Sequence, residues 1–122
     1  MTARLHDNGI NHRDLYICHF LLQLPWRGPQ DPLHLHLIDL HRVQIRSTIP
    51  IRWRIKDLAA LHFSSLHIGL SRRDLMRFVR AYTGASLRSG WYDNRALWQA
   101  VDVRAQRLQA YKPVVEQVQA DG

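Results

Sequence analysis

A single cysteine, Cys18, excludes an internal disulfide and any cysteine-built zinc site. It stands among apolar residues and is expected to be packed rather than reactive. No apolar run approaches the roughly 20 residues that span a bilayer, and the opening MTARLHDNG has no apolar signal-peptide core. The expected location is therefore cytoplasmic, with a peripheral place on a membrane surface left open. Acidic residues are scarce, 10 against 17 basic ones, for a net charge of +7 over 122 residues. Lysine is scarcer still, since only Lys56 and Lys112 accompany the many arginines. Such a balance favours an anionic partner: nucleic acid, an anionic membrane surface or a phosphorylated substrate. Arginine also offers carboxylate and phosphate a planar fork that lysine lacks. For most of these side chains, plain solvation of helix faces is the competing explanation. Internal repeats and low-complexity segments are absent as well. With 46% apolar residues the chain is no disordered tail, and its length suits one domain with a real core.

Along the chain, residues 1–7 read as the last turns of a helix, and Asn8-Gly9 as its stop. Residues 20–24 (FLLQL) read as a short buried strand. PWRGPQDP, 25–32, is dense in turn residues. Over 33–38 (LHLHLI) the alternation has period two, so Leu33, Leu35 and Leu37 share a face, and the two strands make a β-hairpin. A basic connector over 41–54 follows. A helix is expected over 57–67 with Leu58, Leu61 and Leu66 near one face, ended by Gly69. Ser71 and Asp74 form a capping box for the next helix, which Gly84 closes. On it Leu75, Phe78, Val79 and Tyr82 face one side and Arg73, Arg77 and Arg80 the other. A last helix is expected over 92–111, burying Leu97, Val101, Ala105 and Leu108, with Pro113 as its stop and a flexible tail over 113–122. The fold class is α+β: a small β-hairpin followed by three or more helices.

The stretch NHRDLYICHFLL, 11–22, carries the chemistry. Phosphoryl transfer needs an acceptor hydroxyl in line, a carboxylate to take its proton and metal ions on the phosphates. The protein-kinase template for that work is His-Arg-Asp-Leu-x-x-x-Asn. His12-Arg13-Asp14-Leu15 matches it, with His19 in the Asn position and a strand directly after. The second metal-binding carboxylate belongs just beyond the next strand, where Asp39 ends LHLID, although Leu40-His41 replaces Phe-Gly. Two carboxylates thus stand at the two ends of one hairpin. The bland alternative is an ordinary turn with a surface ion pair.

The run NGINHRDLYICHFLL, 8–22, closely resembles the catalytic loop of the lipopolysaccharide core heptose kinases, departing at Leu15 where Cys is usual. IDLHRVQIR, 38–46, and RWRIKDLA, 52–59, resemble the same family, and the resemblance runs over about 1–83. It implies a kinase-like fold, with 1–112 as its C-terminal lobe, and transfer of phosphate from ATP to a heptose hydroxyl of the lipopolysaccharide inner core, with Mg2+. It implies Asp14 as catalytic base, Asp39 on Mg2+ and His19 facing the metal–phosphate region. Since Mg2+ prefers oxygen, a hydrogen bond from His19 to phosphate or to Asp39 is the easier arrangement. His12 and Arg13 would be structural, and Asp57 would brace the catalytic loop. As a helix N-cap, Asp57 has an equally good local explanation. Arg73, Arg77 and Arg80 would suit an anionic acceptor or the cytoplasmic face of the inner membrane. A separate N-lobe and an acyl carrier protein are partners that the resemblance alone suggests.

No Gly-rich loop and no strand Lys with a helix Glu precede the motif. The expectation is a truncated start, weak ATP binding and negligible turnover for this chain alone, with exposed apolar surface around Ile17, Phe20 and 33–38. Three readings compete. His34 and His36 share a strand face, but a catalytic zinc needs a third ligand. Nucleic acid could meet the Arg73 face with Trp53 or Trp91 stacking on bases, yet no nucleic-acid motif is present. A non-catalytic kinase-like remnant is the third, against which the intact Asp14 and Asp39 count.

Overall fold

The computed structural model describes the backbone of residues 1–121 and the side chains of residues 1–110. Helix α1 (Thr2–Asp7) leads into a two-residue strand β1 (Ile10–Asn11), and Gly9 makes the corner at φ +76°. Strand β1 pairs antiparallel with β4 (Gln44–Ile45), Ile10 opposite Ile45 and Asn11 opposite Gln44. This pairing lies within the stretch expected to be a basic connector. Two-residue strands have no readable period, so only tertiary contact reveals them. A Cβ on Gly9 would stand 1.7 Å from the Arg46 carbonyl oxygen, and Arg46 N–H donates to the Gly9 carbonyl at 2.7 Å. Gly9→Ala is therefore expected to destabilise the chain by roughly 1–3 kcal/mol, from positive φ and backbone collision together. Urea denaturation checks this, and a change within error would show that the corner yields freely.

The expected hairpin is present. Strand β2 (Phe20–Leu22) pairs antiparallel with β3 (Leu35–Leu37), Phe20 opposite Leu37. It is not buried, however. Leu21, Leu22, Leu24, Leu33, Leu35, Ile38 and Leu40 are all exposed, while Ile17 and Phe20 are half-buried. Cys18 is exposed too, against the expectation of a packed thiol. It is the middle residue of a 3-10 turn, Ile17–His19, whose flanking residues bond inward. Ile17 N–H donates to Ser64 Oγ at 2.8 Å, and the His19 ring to the Asp14 carbonyl.

Helix α2 (Ile51–Ser65) begins well before Asp57. Pro50 is its extended N-cap residue, and the arginines and lysine that follow are good helix formers. Asp57 is thus an interior residue, which removes the N-cap explanation. Leu66 falls in the 3-10 turn Leu66–Ile68 and is exposed, because the face rotates there before Gly69 closes the segment in the left-handed conformation.

Helix α3 (Arg72–Thr83) has the expected box: Ser71 Oγ accepts from Asp74 N–H at 3.2 Å, and Asp74 Oδ2 accepts from Ser71 N–H at 2.9 Å. The bonds that Ser71 N–H and Ser71 Oγ–H donate to Asp74 Oδ2, helped by Arg77, hold the Asp74 carboxyl below its ordinary value. A depressed carboxylate adds stability above its unfolded pKa and loses it as pH falls through the folded one. Ser71→Ala is expected to cost about 0.5–2 kcal/mol at neutral pH. In urea curves the gap to wild type should narrow below pH 4 or so. A gap independent of pH would separate Asp74 from the cap.

The final helical stretch divides. Helix α4 (Leu87–Tyr92), capped by Ser86, precedes α5 (Arg95–Asp121). The division permits a close approach, since a Cβ on Gly90 would lie 2.5 Å from Thr83 Oγ1 and the Gly90 carbonyl accepts from Trp98 Nε1 at 3.0 Å. Helix α5 continues past Pro113, where a stop was expected. One proline deletes one backbone donor, and the Glu, Gln and Ala beyond it are ordinary helix formers. The tail expected over 113–122 lies outside the residues whose side chains are described.

The core sits where α2, α3 and α5 meet: Leu58, Ala59, Val79, Trp98 and Val101, flanked by Ile55, Phe78, Tyr82 and Leu97. Asp57 on α2 ties this core to the loop 12–14.

Candidate active site

Asp57 is the pillar of the site. It is 1% exposed and accepts three hydrogen bonds of 2.9 Å, from His12 N–H, Arg13 N–H and His6 Nε2. Its position inside α2 turns the carboxylate towards the loop. Behind it, Tyr82 O–H donates to His6 Nδ1 at 2.7 Å and Arg54 donates to the phenol oxygen at 3.2 Å. The rigid core therefore reaches the loop backbone through a continuous chain of hydrogen bonds. Burial pushes the Tyr82 phenol up from its ordinary value, and Arg54 works against that.

His12, also 1% exposed, fixes the next link. Its Nδ1 accepts from Asp14 N–H at 3.1 Å, which leaves Nε2 to donate to the Ile38 carbonyl at 3.0 Å. The loop is thereby tied to the end of β3. His19 makes the second tie. Its Nδ1 donates to the Asp14 carbonyl at 2.7 Å, its Nε2 lies 3.1 Å from Asp39 Oδ2, and its own carbonyl accepts from Ile38 N–H at 3.0 Å. Arg13 and Asp39 hold positive φ, 77° and 64°, conformations that non-glycine residues keep only where the surroundings over-determine them.

The Asp14 side chain is 14% exposed and receives Arg42 Nη1 at 2.7 Å. Asp39 is more open, and its other oxygen contacts His41. Among the described residues no three His, Cys, Asp or Glu side chains form a metal cage. Mg2+ asks for less than a cage: one or two carboxylates, with waters and substrate phosphates completing its oxygen shell. Asp39 fits that demand. Both ring nitrogens of His19 are occupied by protein groups, so its geometry is that of a brace on Asp39.

Asp14, Asp39, His12, His19, Arg13 and Asp57 thus form one bonded cluster. Arg73, Arg77 and Arg80 do not join it through any hydrogen bond or ion pair among the described residues. They are exposed on α3, where Arg77 pairs with Asp74 at 2.9 Å. His36 bonds Gln23 at 3.1 Å, as an ordinary strand-face residue does. The sequence reading missed His6, Tyr82, Arg54 and Arg42. His6 lies far from Asp57 in sequence, and no local spacing signals the contact.

A two-stranded hairpin with both carboxylates at its open end, and a loop braced by a buried aspartate of α2, define a mixed α+β, kinase-like fold. The chain belongs to the lipopolysaccharide kinase (Kdo/WaaP) family, whose model matches residues 1–82. It is 50% identical over 108 residues to the lipopolysaccharide core heptose(I) kinase WaaP of Escherichia coli, which spans 88% of this chain and 41% of that protein. It is 48% identical over 108 residues to the WaaP of Pseudomonas aeruginosa, covering 40% of that protein. A solved structure of WaaP in complex with acyl carrier protein matches with a TM-score of 0.78 at 48% identity, over 88% of this chain and 45% of that one. The chain therefore spans about two-fifths of the length of its curated relatives.

Proposed function

We propose that residues 1–112 are the catalytic-loop lobe of an ATP-dependent kinase acting on heptose in the lipopolysaccharide inner core: ATP + heptose hydroxyl → ADP + heptose phosphate. Asp14 takes the proton from the attacking hydroxyl. Asp39 would hold Mg2+, which bridges and neutralises the nucleotide phosphates when bound. His19 sets the spacing of the two carboxylates, and His12, Arg13 and Asp57 hold the loop. The observation that carries this reading is His19, which touches the Asp14 carbonyl and the Asp39 carboxylate with its two ring nitrogens. In the resting chain Arg42 donates to Asp14 Oδ1 and must cede that oxygen to the acceptor.

The solved relative is in complex with acyl carrier protein, and a carrier protein of that kind is proposed as a partner. No helix among the described residues is long and apolar enough to cross a membrane. The reaction is assigned to the cytoplasmic face of the inner membrane, with Arg73, Arg77 and Arg80 facing anionic acceptor or lipid. The test exchanges this chain for the matching segment of the Escherichia coli relative and measures phosphate transfer from ATP to heptose-bearing core lipopolysaccharide. Transfer that depends on Asp14 supports the proposal. A folded, inactive chimera sinks it.

A further inference from the structure

Around Trp53 the charges do not balance. The centre of its ring lies 5.8 Å from the Arg13 guanidinium, 5.3 Å from Arg46, 5.5 Å from Arg52 and 5.2 Å from Lys56 Nζ. Among the described residues none of these four cations pairs with a carboxylate. Arg46 donates to the neutral Gln44 Oε1 at 2.9 Å. Two donors at the same place, Trp53 Nε1 and Arg13 Nε, are buried without any acceptor. Buried donors almost always have partners, so an orphaned pair beside four cations asks for what would complete it. Burial lowers the Lys56 ammonium, and Arg13, Arg42 and Arg104 lower it further, while Asp14 alone opposes them. The four cations carry no carboxylate partner among the described residues, and beside the two orphaned donors only the Asn11 Oδ1 acceptor is likewise buried without a partner.

We propose that the Trp53 cluster is an oxyanion subsite that holds a carboxylate or phosphate borne by the sugar acceptor. The proposal rests on the kinase reading for its place in the reaction, because Arg13 immediately precedes Asp14 in the catalytic loop. An acceptor gripped there by its acid group brings its neighbouring hydroxyls to the base. Arginine forks bind such groups in bidentate fashion, and Lys56 adds a point charge. Buried donors favour a compact oxyanion over a flat lipid surface, which meets exposed side chains first. The subsite is also distinct from the Arg73 face of α3, whose cations are exposed.

Nuclear magnetic resonance of the indole N–H groups tests this on the 122-residue chain without ATP or turnover. The Trp53 signal is identified by its loss in Trp53→Phe. Glucuronate and glucose 6-phosphate serve as acid sugars, with glucose and inorganic phosphate as controls. A saturable shift of the Trp53 signal is expected with at least one acid sugar, and none with glucose. The stronger of the two acids says whether carboxylate or phosphate is preferred. Arg52→Glu, on an exposed side chain that leaves the core untouched, should weaken that binding about tenfold or more. Arg88→Glu, an exposed arginine on α4 with no part in either site, should leave it unchanged. No saturable shift with either acid sugar overturns the subsite, as does equal binding by Arg52→Glu. Inorganic phosphate binding as tightly as both acid sugars overturns the sugar assignment. Binding that persists while the chimera fails to transfer phosphate sinks the kinase reading alone. Transfer without binding sinks the subsite alone.

Discussion

Asp57→Ala is expected to cost about 3–5 kcal/mol, because it strands three buried donors at once and removes the charge that holds them. His12 N–H, Arg13 N–H and the His6 ring all lose their acceptor, and His6 and His12 are only 1% exposed. Asp57→Asn keeps one acceptor oxygen and should fall between wild type and alanine. Urea denaturation gives the magnitude. Amide exchange at His12 and Arg13 tells loop release from global unfolding. A loss under about 1 kcal/mol with both amides still protected would mean that the loop is held by something other than this carboxylate. The same chain of bonds has an alkaline limit. The raised Tyr82 phenol contributes stability below its unfolded pKa, near 10, and loses it as pH rises through the folded value. Tyr82→Phe should remove that alkaline dependence, and its persistence would show that another group titrates.

Asp14→Asn in the chimera is expected to lower kcat by about 100- to 10,000-fold while leaving KM for ATP nearly unchanged. The physical reason is narrow. Among the described residues the Asp14 carboxylate has one partner, Arg42 at 2.7 Å, whereas the loop is held by backbone bonds that the asparagine leaves intact. The variant should therefore fold as wild type does and fail only where a proton must be taken. Rates are read under saturating ATP, with circular dichroism and denaturation curves as the check on folding. Turnover within threefold or so of the parent would remove Asp14 as general base. A fall in rate accompanied by lost stability would instead give it a structural part.

How much of this was legible in the sequence varies with the range of the interaction. The Ser71–Asp74 box, the Gly69 and Gly84 stops and the apolar stripe of α3 were readable because each is written within a few residues. So was the hairpin, from its alternation and its turn-rich connection. The start of α2 was not, because Asp57 looks like a cap when only its neighbours are considered. In the fold its carboxylate goes to the loop at 12–13. The division between α4 and α5 was hidden for a related reason. Its cause is the close approach of Gly90 to Thr83 on another helix. Cys18 and Leu66 came out exposed because each sits in a 3-10 turn, where helical and strand periods no longer say which way a side chain points.

By itself the sequence determined the chemical vocabulary: an aspartate in a His-Arg-Asp loop, a second aspartate past the next strand, and an arginine-rich surface. Those are local facts, and local rules suffice for them. Only the tertiary structure decided how they are wired. It put His19 between the Asp14 carbonyl and the Asp39 carboxylate, made Asp57 the anchor of the loop, and gathered Arg13, Arg46, Arg52 and Lys56 around one indole. The physical reason is that a buried donor must find its acceptor wherever the packed core brings one within about 3 Å. That choice depends on which helices meet, and not on which residues are adjacent in the chain.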